Sequence, residues 1–220
     1  MLHRVVGISL LIVIIGALNA CGGSDSGSPD TFPAHVSPSS APPLTCGPIG
    51  QATVDVMKDL NYFWQSSAVA CSCQFDAPTC QGNAMVLDNG YGYIYFDANL
   101  LDSTYFSTGS RLPSDMVVAH EFGHNIQLAL NLPASLNKFR ELQADCLAGF
   151  YVGSRVKRQL VNQYDLVQAF GAACGFGDSA STPWWGQDAH GTCSERVAAV
   201  QAGIQGFLSG LLPGQACPSA

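Results

Sequence analysis

The chain has 220 residues, 47% of them hydrophobic and only 11% charged, enough apolar material for one buried core. A formal charge of −7 and the lack of any basic cluster argue against a nucleic-acid partner, because such binding rests on neutralising phosphates. Arg155, Lys157 and Arg158 form only a small local patch, suited to a helix end.

At the N-terminus His3 and Arg4 precede an apolar run from Val5 to Leu18, short for a transmembrane helix, and LNAC follows, ending at Cys21. The segment resembles a bacterial lipoprotein signal, with residues 1–20 removed and Cys21 carrying the lipid; simple secretion is the alternative. Residues 21–45 are rich in Gly, Ser, Pro and Asp and read as a flexible tether, which leaves 46–220 as the folded domain. The expected location is the cell envelope, anchored to the membrane through Cys21, or outside the cell. Of nine cysteines, eight remain in the domain, an even number that suits disulfides in an oxidising compartment, with the pairing left open. Cys71 and Cys73 stand too close to be read as mutual partners. A second metal site from Cys71, Cys73 and Cys80 is the lesser option there.

From Ile49 to about Ser67 the spacing of Val54, Met57, Leu60, Phe63 and Trp64 predicts an amphipathic helix. Ala84–Asp88 and Tyr91–Asp97 then bracket Asn89-Gly90, a hairpin signal, and alternation puts Tyr91, Tyr93 and Tyr95 on one face of the second strand. A helix is predicted over Ser114 to Asn131, with Ser114 as N-cap, Asp115 favourable to the helix dipole, and Asn131 and Pro133 as stop. Its apolar residues surround His120, Glu121 and His124, so it should be buried nearly all round.

His120 and His124 are four residues apart, which on a helix puts both imidazoles on one face within reach of one ion. With Glu121 between them they form an H-E-x-x-H pattern: two zinc ligands and a carboxylate able to take a proton from water activated by the metal. The longer metzincin pattern would need Gly at position 127 and His at position 130, where Gln127 and Leu130 stand, so that subclass is excluded. A third ligand is offered by a second helix, predicted from about Ser135 to Gly153, in which Glu141 and Asp145 again lie four apart. In the favoured arrangement Glu141 binds the metal and Asp145 accepts the other ring N–H of His120 or His124. His190 is also able to ligate, but carboxylate ligation leaves it free to act on substrate, as a donor to an oxyanion.

Asn162 is a candidate cap for a helix through about Ala173, and Ser194 to about Ser209 a closing helix with Val197, Val200, Ile204 and Phe207 inward. Between them Gly175–Gly191 is a long loop carrying His190 and, as candidate walls of a cleft, Trp184 and Trp185.

Three blocks, VVAHEFGHNIQ, ELQADCLAG and HGTCSERV, resemble in order and separation those of the bacterial neutral zinc metallopeptidase family, over roughly Cys46 to Phe207. The resemblance implies an α+β, zincin-like fold, mostly helical with a small antiparallel sheet beside the active-site helix. It also implies zinc on His120, His124 and Glu141, Glu121 as general base, and a peptide or protein substrate. By the same resemblance the YGYIYF strand is a candidate edge for holding extended peptide. Cys146 falls where the family tends to have cysteine, which leaves a buried free thiol there as the alternative to a disulfide. A non-catalytic zinc-binding envelope lipoprotein acting in assembly would keep the ligands without needing Glu121.

Overall fold

The computed structural model describes residues 46–73, 82–86, 92–129 and 136–218. The lipoprotein-type signal with Cys21, the tether, the Asn89-Gly90 turn with Tyr91, Cys80, and the helix stop at Asn131 and Pro133 lie outside them.

Apolar spacing produces the first helix as expected: α1 (Gln51–Trp64) buries Val56, Met57, Leu60 and Trp64, while Val54 and Phe63 are half-buried. Three short strands follow, β1 (Val69–Ser72), β2 (Ala84–Met85) and β3 (Tyr93–Phe96), in the order β1-β3-β2. β2 pairs antiparallel with β3, Ala84 opposite Phe96 and Met85 opposite Tyr95, one residue away from the Ala84–Tyr95 register that a two-residue turn at Asn89-Gly90 would give. β1 pairs parallel with β3, so the sheet is mixed and not purely antiparallel. A four-residue strand is too short to announce itself by periodicity, and a parallel partner is by nature distant in sequence. The Cys46–Cys71 disulfide fastens β1 in place.

The central position of β3 overturns the expectation that the tyrosine strand is a free edge, since both its sides are paired; β2 holds the edge. Tyr93 and Tyr95 do share a face, their rings stacked with centroids 6.4 Å apart, and Tyr95 is fully buried. They are packing residues.

A helix the sequence did not announce, α2 (Ala98–Thr108), starts at Asp97, whose side chain accepts from the Asn99 N–H. Leu101 is its one buried side chain, which explains its weak apolar signal. α3 (Leu112–Ala129) begins two residues before Ser114. Ser114 is therefore not its cap; its hydroxyl donates to the Leu101 carbonyl and ties α3 to α2. α3 packs against α1, α2 and both strands of the hairpin, which accounts for its burial on nearly every side. The Asn125 side-chain oxygen accepts from the Gly92 N–H and pins α3 to the start of β3.

The remaining helices are α4 (Asn137–Lys157), α5 (Gln163–Gly175), α6 (Cys193–Leu208) and the single turn α7 (Pro213–Ala216). α3 also packs on α4 and α5. Asn162 with Asp165, and Thr192 with Glu195, close reciprocal capping boxes at the starts of α5 and α6. α4 runs past the predicted end at Gly153, because that glycine serves packing: a Cβ there would stand 2.9 Å from Phe207 Cβ. α4 and α6 cross so closely that a Cβ on Gly149 would overlap the Val200 carbonyl, and one on Gly203 the Cys146 carbonyl.

Cys146 pairs with Cys217 and Cys174 with Cys193, and Cys73 is disulfide-bonded as well. Cys146 is thus not a free thiol; α7 folds back over α6 and brings Cys217 onto α4, a contact no local pattern reveals. Among the described residues, no helix is long and apolar enough to cross a membrane.

The glycine crossing is testable by denaturant unfolding. Gly203→Ala should destabilise by about 3 kcal/mol, because backbone must move, whereas Gly171→Ala, facing open space on α5, should leave stability unchanged or raise it by about 0.5–1 kcal/mol.

Candidate metal centre

Residues four apart on α3 leave the helix on one face, and the His120 and His124 rings stand with centroids 4.7 Å apart. α4 passes alongside and presents Glu141 and Asp145 with the same spacing. Glu141 Oε2 lies 3.1 Å from His120 Nε2, and Oε1 3.3 Å from His124 Nε2. One ligand atom from each of the three residues falls within 4.8 Å of the others, a group able to hold a metal ion.

The partners of the other ring nitrogens decide what these contacts mean. His120 Nδ1 lies 2.8 Å from Asp145 Oδ1, and a carboxylate can only accept, so Nδ1 carries the proton. His124 Nδ1 lies 2.8 Å from Gln127 Oε1. The Gln127 amide nitrogen spends its two protons on the Arg140 carbonyl (2.7 Å) and Gln143 Oε1 (2.9 Å), so its oxygen faces the ring and His124 Nδ1 is protonated too. In the neutral imidazoles both Nε2 atoms are therefore lone pairs turned toward carboxylate oxygens. Lone pair against lone pair is repulsive unless a proton or a metal cation lies between, which is the donor arrangement of a metal site.

Electrostatics agree. Burial opposes charge on His120, but Asp145 and Glu141 override it and push the imidazole up to about 10, so in the ion-free protein a proton takes the cation's place. Burial also works against charge on Glu141, and the two facing imidazoles outweigh it, holding the carboxyl well below the usual range. Asp145 is likewise held below its ordinary value despite burial, by His120 and Arg196.

Arg196 is the site residue that sequence reasoning missed. Its Nε donates to Asp145 Oδ2 and its Nη2 to Asp145 Oδ1, each at 2.8 Å, so one fork fixes the carboxylate that orients His120. Its Nη1 is tied to the Phe176 carbonyl at 3.0 Å. A signal existed: position 196 precedes Val200 by one turn, on the predicted inward face, where a charge needs a buried partner. Gln127 and Gln143 were also missed, since glutamines on apolar helices carry no chemistry until their neighbours are known.

His120, His124, Glu121, Glu141 and Asp145 line one cleft of ≈ 590 Å³, walled by β2 on one side and by α5 residues such as Ala172 and Phe176 on the other. Glu121 is buried, which pushes its carboxyl up, with the two imidazoles pulling it down less strongly. His190 lines the same cleft from its rim with a half-exposed ring, Nδ1 3.6 Å from Asp178 Oδ1. Asp178 Oδ2 accepts the backbone N–H groups of His190 and Gly191, fixing that loop end. Trp184 and Trp185 are not among the cleft-lining residues; both are exposed, with Lys138 Nζ 5.8 Å over the Trp184 ring, which corrects their placement as walls. Lys138 itself pairs with Glu195, at 2.7 Å, and not with the metal helix acids.

Comparison with protein-family models, with curated proteins and with solved structures finds no match.

Two outcomes follow. The proton on His120 stabilises the ion-free fold fully below pH 6.5, and that contribution disappears as pH rises through about 10. Thermal unfolding with chelator present should show this decline, and saturation with a divalent ion, which displaces the proton, should flatten it. Arg196→Gln should weaken divalent-ion binding by about 10- to 100-fold in chelator competition, since Asp145 loses its fixed orientation.

Proposed function

We propose that the chain is an exported, zinc-dependent peptidase, related to the bacterial neutral zinc metallopeptidases that its three motif blocks resemble. The observation that carries the reading is the placement of Glu121, a buried carboxyl in the same cleft as two imidazole lone pairs and a carboxylate that demand a cation. Two histidines and one carboxylate from the protein are the composition of a catalytic zinc site with a position left for solvent or substrate. Imidazole donors also disfavour magnesium and calcium, which take oxygen.

His120, His124 and Glu141 would hold the ion, and the chemistry it supplies is Lewis acidity, which acidifies water and polarises a carbonyl. Glu121 accepts the proton of the attacking water as its oxygen bonds to the peptide carbon. The same carboxyl then delivers that proton to the leaving nitrogen as the C–N bond breaks. Burial raises the affinity of Glu121 for the proton and suits it to this double duty. His190 donates from the rim to the oxygen on which charge develops, and Asp178 steadies it. The exposed side of β2, the sheet edge on the cleft, is where an extended peptide pairs by its main chain. Lipidation of Cys21 and the tether would hold this domain at a membrane surface, and the disulfides suit an oxidising compartment.

Zinc content and cleavage of a denatured protein mixture, with fragment ends read by mass spectrometry, test the reading. Glu121→Gln should keep its zinc and lose roughly 10²- to 10⁴-fold in cleavage rate. Cleavage by that variant at the wild-type rate would refute the proposal, and so would a zinc-loaded wild type that cuts nothing.

A further inference from the structure

We propose that Gln127 is a positioning residue for the metal site, the last link of a one-way hydrogen-bond relay that starts at the Cys217 carbonyl. The relay sets the tautomer of His124 and through it the strength of metal binding. It rests on the metal-site part of the reading above and not on peptide hydrolysis.

The direction of each link follows from what each atom can do. The Cys217 carbonyl can only accept, and Gln143 Nε2 lies 3.1 Å from it, so the Gln143 amide presents its nitrogen there. Its oxygen must then face Gln127, whose Nε2 stands 2.9 Å away. The second proton of that nitrogen meets the Arg140 carbonyl at 2.7 Å, one residue before the ligand Glu141. Gln127 Oε1 is left facing His124 Nδ1 at 2.8 Å, and an amide oxygen accepts only. Nδ1 must carry the ring proton, and the Nε2 lone pair turns toward the ion. An amide group normally reverses with little change of shape, but here carbonyls at two points forbid it.

The surroundings keep the relay closed to solvent. Gln127, Gln143 and Cys217 are 4%, 6% and 4% exposed, so water cannot replace a lost partner cheaply. The starting carbonyl is held by the Cys146–Cys217 disulfide, and the Cys217 N–H donates to the Pro213 carbonyl at 2.7 Å within α7. Cys146 follows Gln143 by less than one turn of α4, so the bond that anchors the carbonyl grows from the helix that carries the relay. Reduction of that disulfide by an external dithiol, which ends as a disulfide itself and leaves Cys146 and Cys217 as thiols, frees Cys217 to leave and lets Gln143 reverse, which sets amide nitrogen against amide nitrogen at Gln127. Metal affinity in this protein is thereby coupled to the oxidation state of its C-terminal disulfide.

Zinc affinity of the full chain, measured by chelator competition, tests this without reference to activity, with thermal unfolding of ion-free protein confirming that each variant folds. Gln127→Met removes the acceptor and should weaken zinc binding by about 10- to 100-fold. Gln127→Glu keeps an acceptor at His124 while losing both donors, and should bind within a few-fold of wild type. A residue that merely cross-links α3 to α4 would show the reverse, the glutamate variant being the worse. Gln143→Met and the double variant Cys146→Ala/Cys217→Ala should each weaken zinc binding by several-fold. Wild-type affinity in Gln127→Met, no advantage of Gln127→Glu over Gln127→Met, or wild-type affinity in both upstream variants would overturn the relay. A wild type that binds zinc but cleaves no peptide leaves the relay standing and removes only the peptidase reading.

Discussion

Two imidazole lone pairs aimed at one carboxylate repel it until positive charge lies between them, and the interior of this protein is built to hold that arrangement. Each ring is turned by a partner on its far side, His120 by Asp145 and His124 by Gln127, and each partner is itself held. Without those outer contacts either neutral imidazole could turn its single proton to Glu141; with them, Glu141 is met only by an added proton or a metal ion. The fitness of the group for a cation therefore comes from the shell behind it as much as from the three residues themselves.

That shell depends on close backbone approach. Glycines at 149 and 203 let α4 and α6 cross nearer than side chains would permit, and this brings Arg196 of α6 against Asp145 of α4. The buried acid is tolerable because the guanidinium meets both its oxygens, and the buried base because the acid is there. On its other flank α4 carries Gln143 toward α3 and Cys146 toward the C-terminal segment. One helix thus supplies a ligand, an orienting acid, an orienting amide and a disulfide anchor from successive turns, and its packing against α3 sets all of them at once.

The cleft shows a division of labour between rigid and adaptable parts. Ligands and orienting groups sit on α3, α4 and α6, buried and fully partnered. β2 and the His190 loop form the rim, with short pairing and a half-exposed ring. A group able to hold an ion needs precise placement, and a cleft rim leaves it open to solvent.

The make-up of the centre was legible in the sequence because it rests on local spacing. His120, Glu121 and His124 on one helix, and Glu141 and Asp145 on the next, follow from the 3.6-residue period, and so do the boundaries of α1, α5 and α6 to within a few residues. Legible too was the antiparallel pairing of β2 with β3, two strands near in sequence, though not its register. What tertiary structure alone decided is everything that joins distant segments: the parallel strand β1, the central place of the tyrosine strand, the Cys146–Cys217 bond, and the roles of Arg196 and Gln127. Periodicity says which face of a helix turns inward but not which neighbour it meets, and a buried charge or amide takes its meaning only from that neighbour.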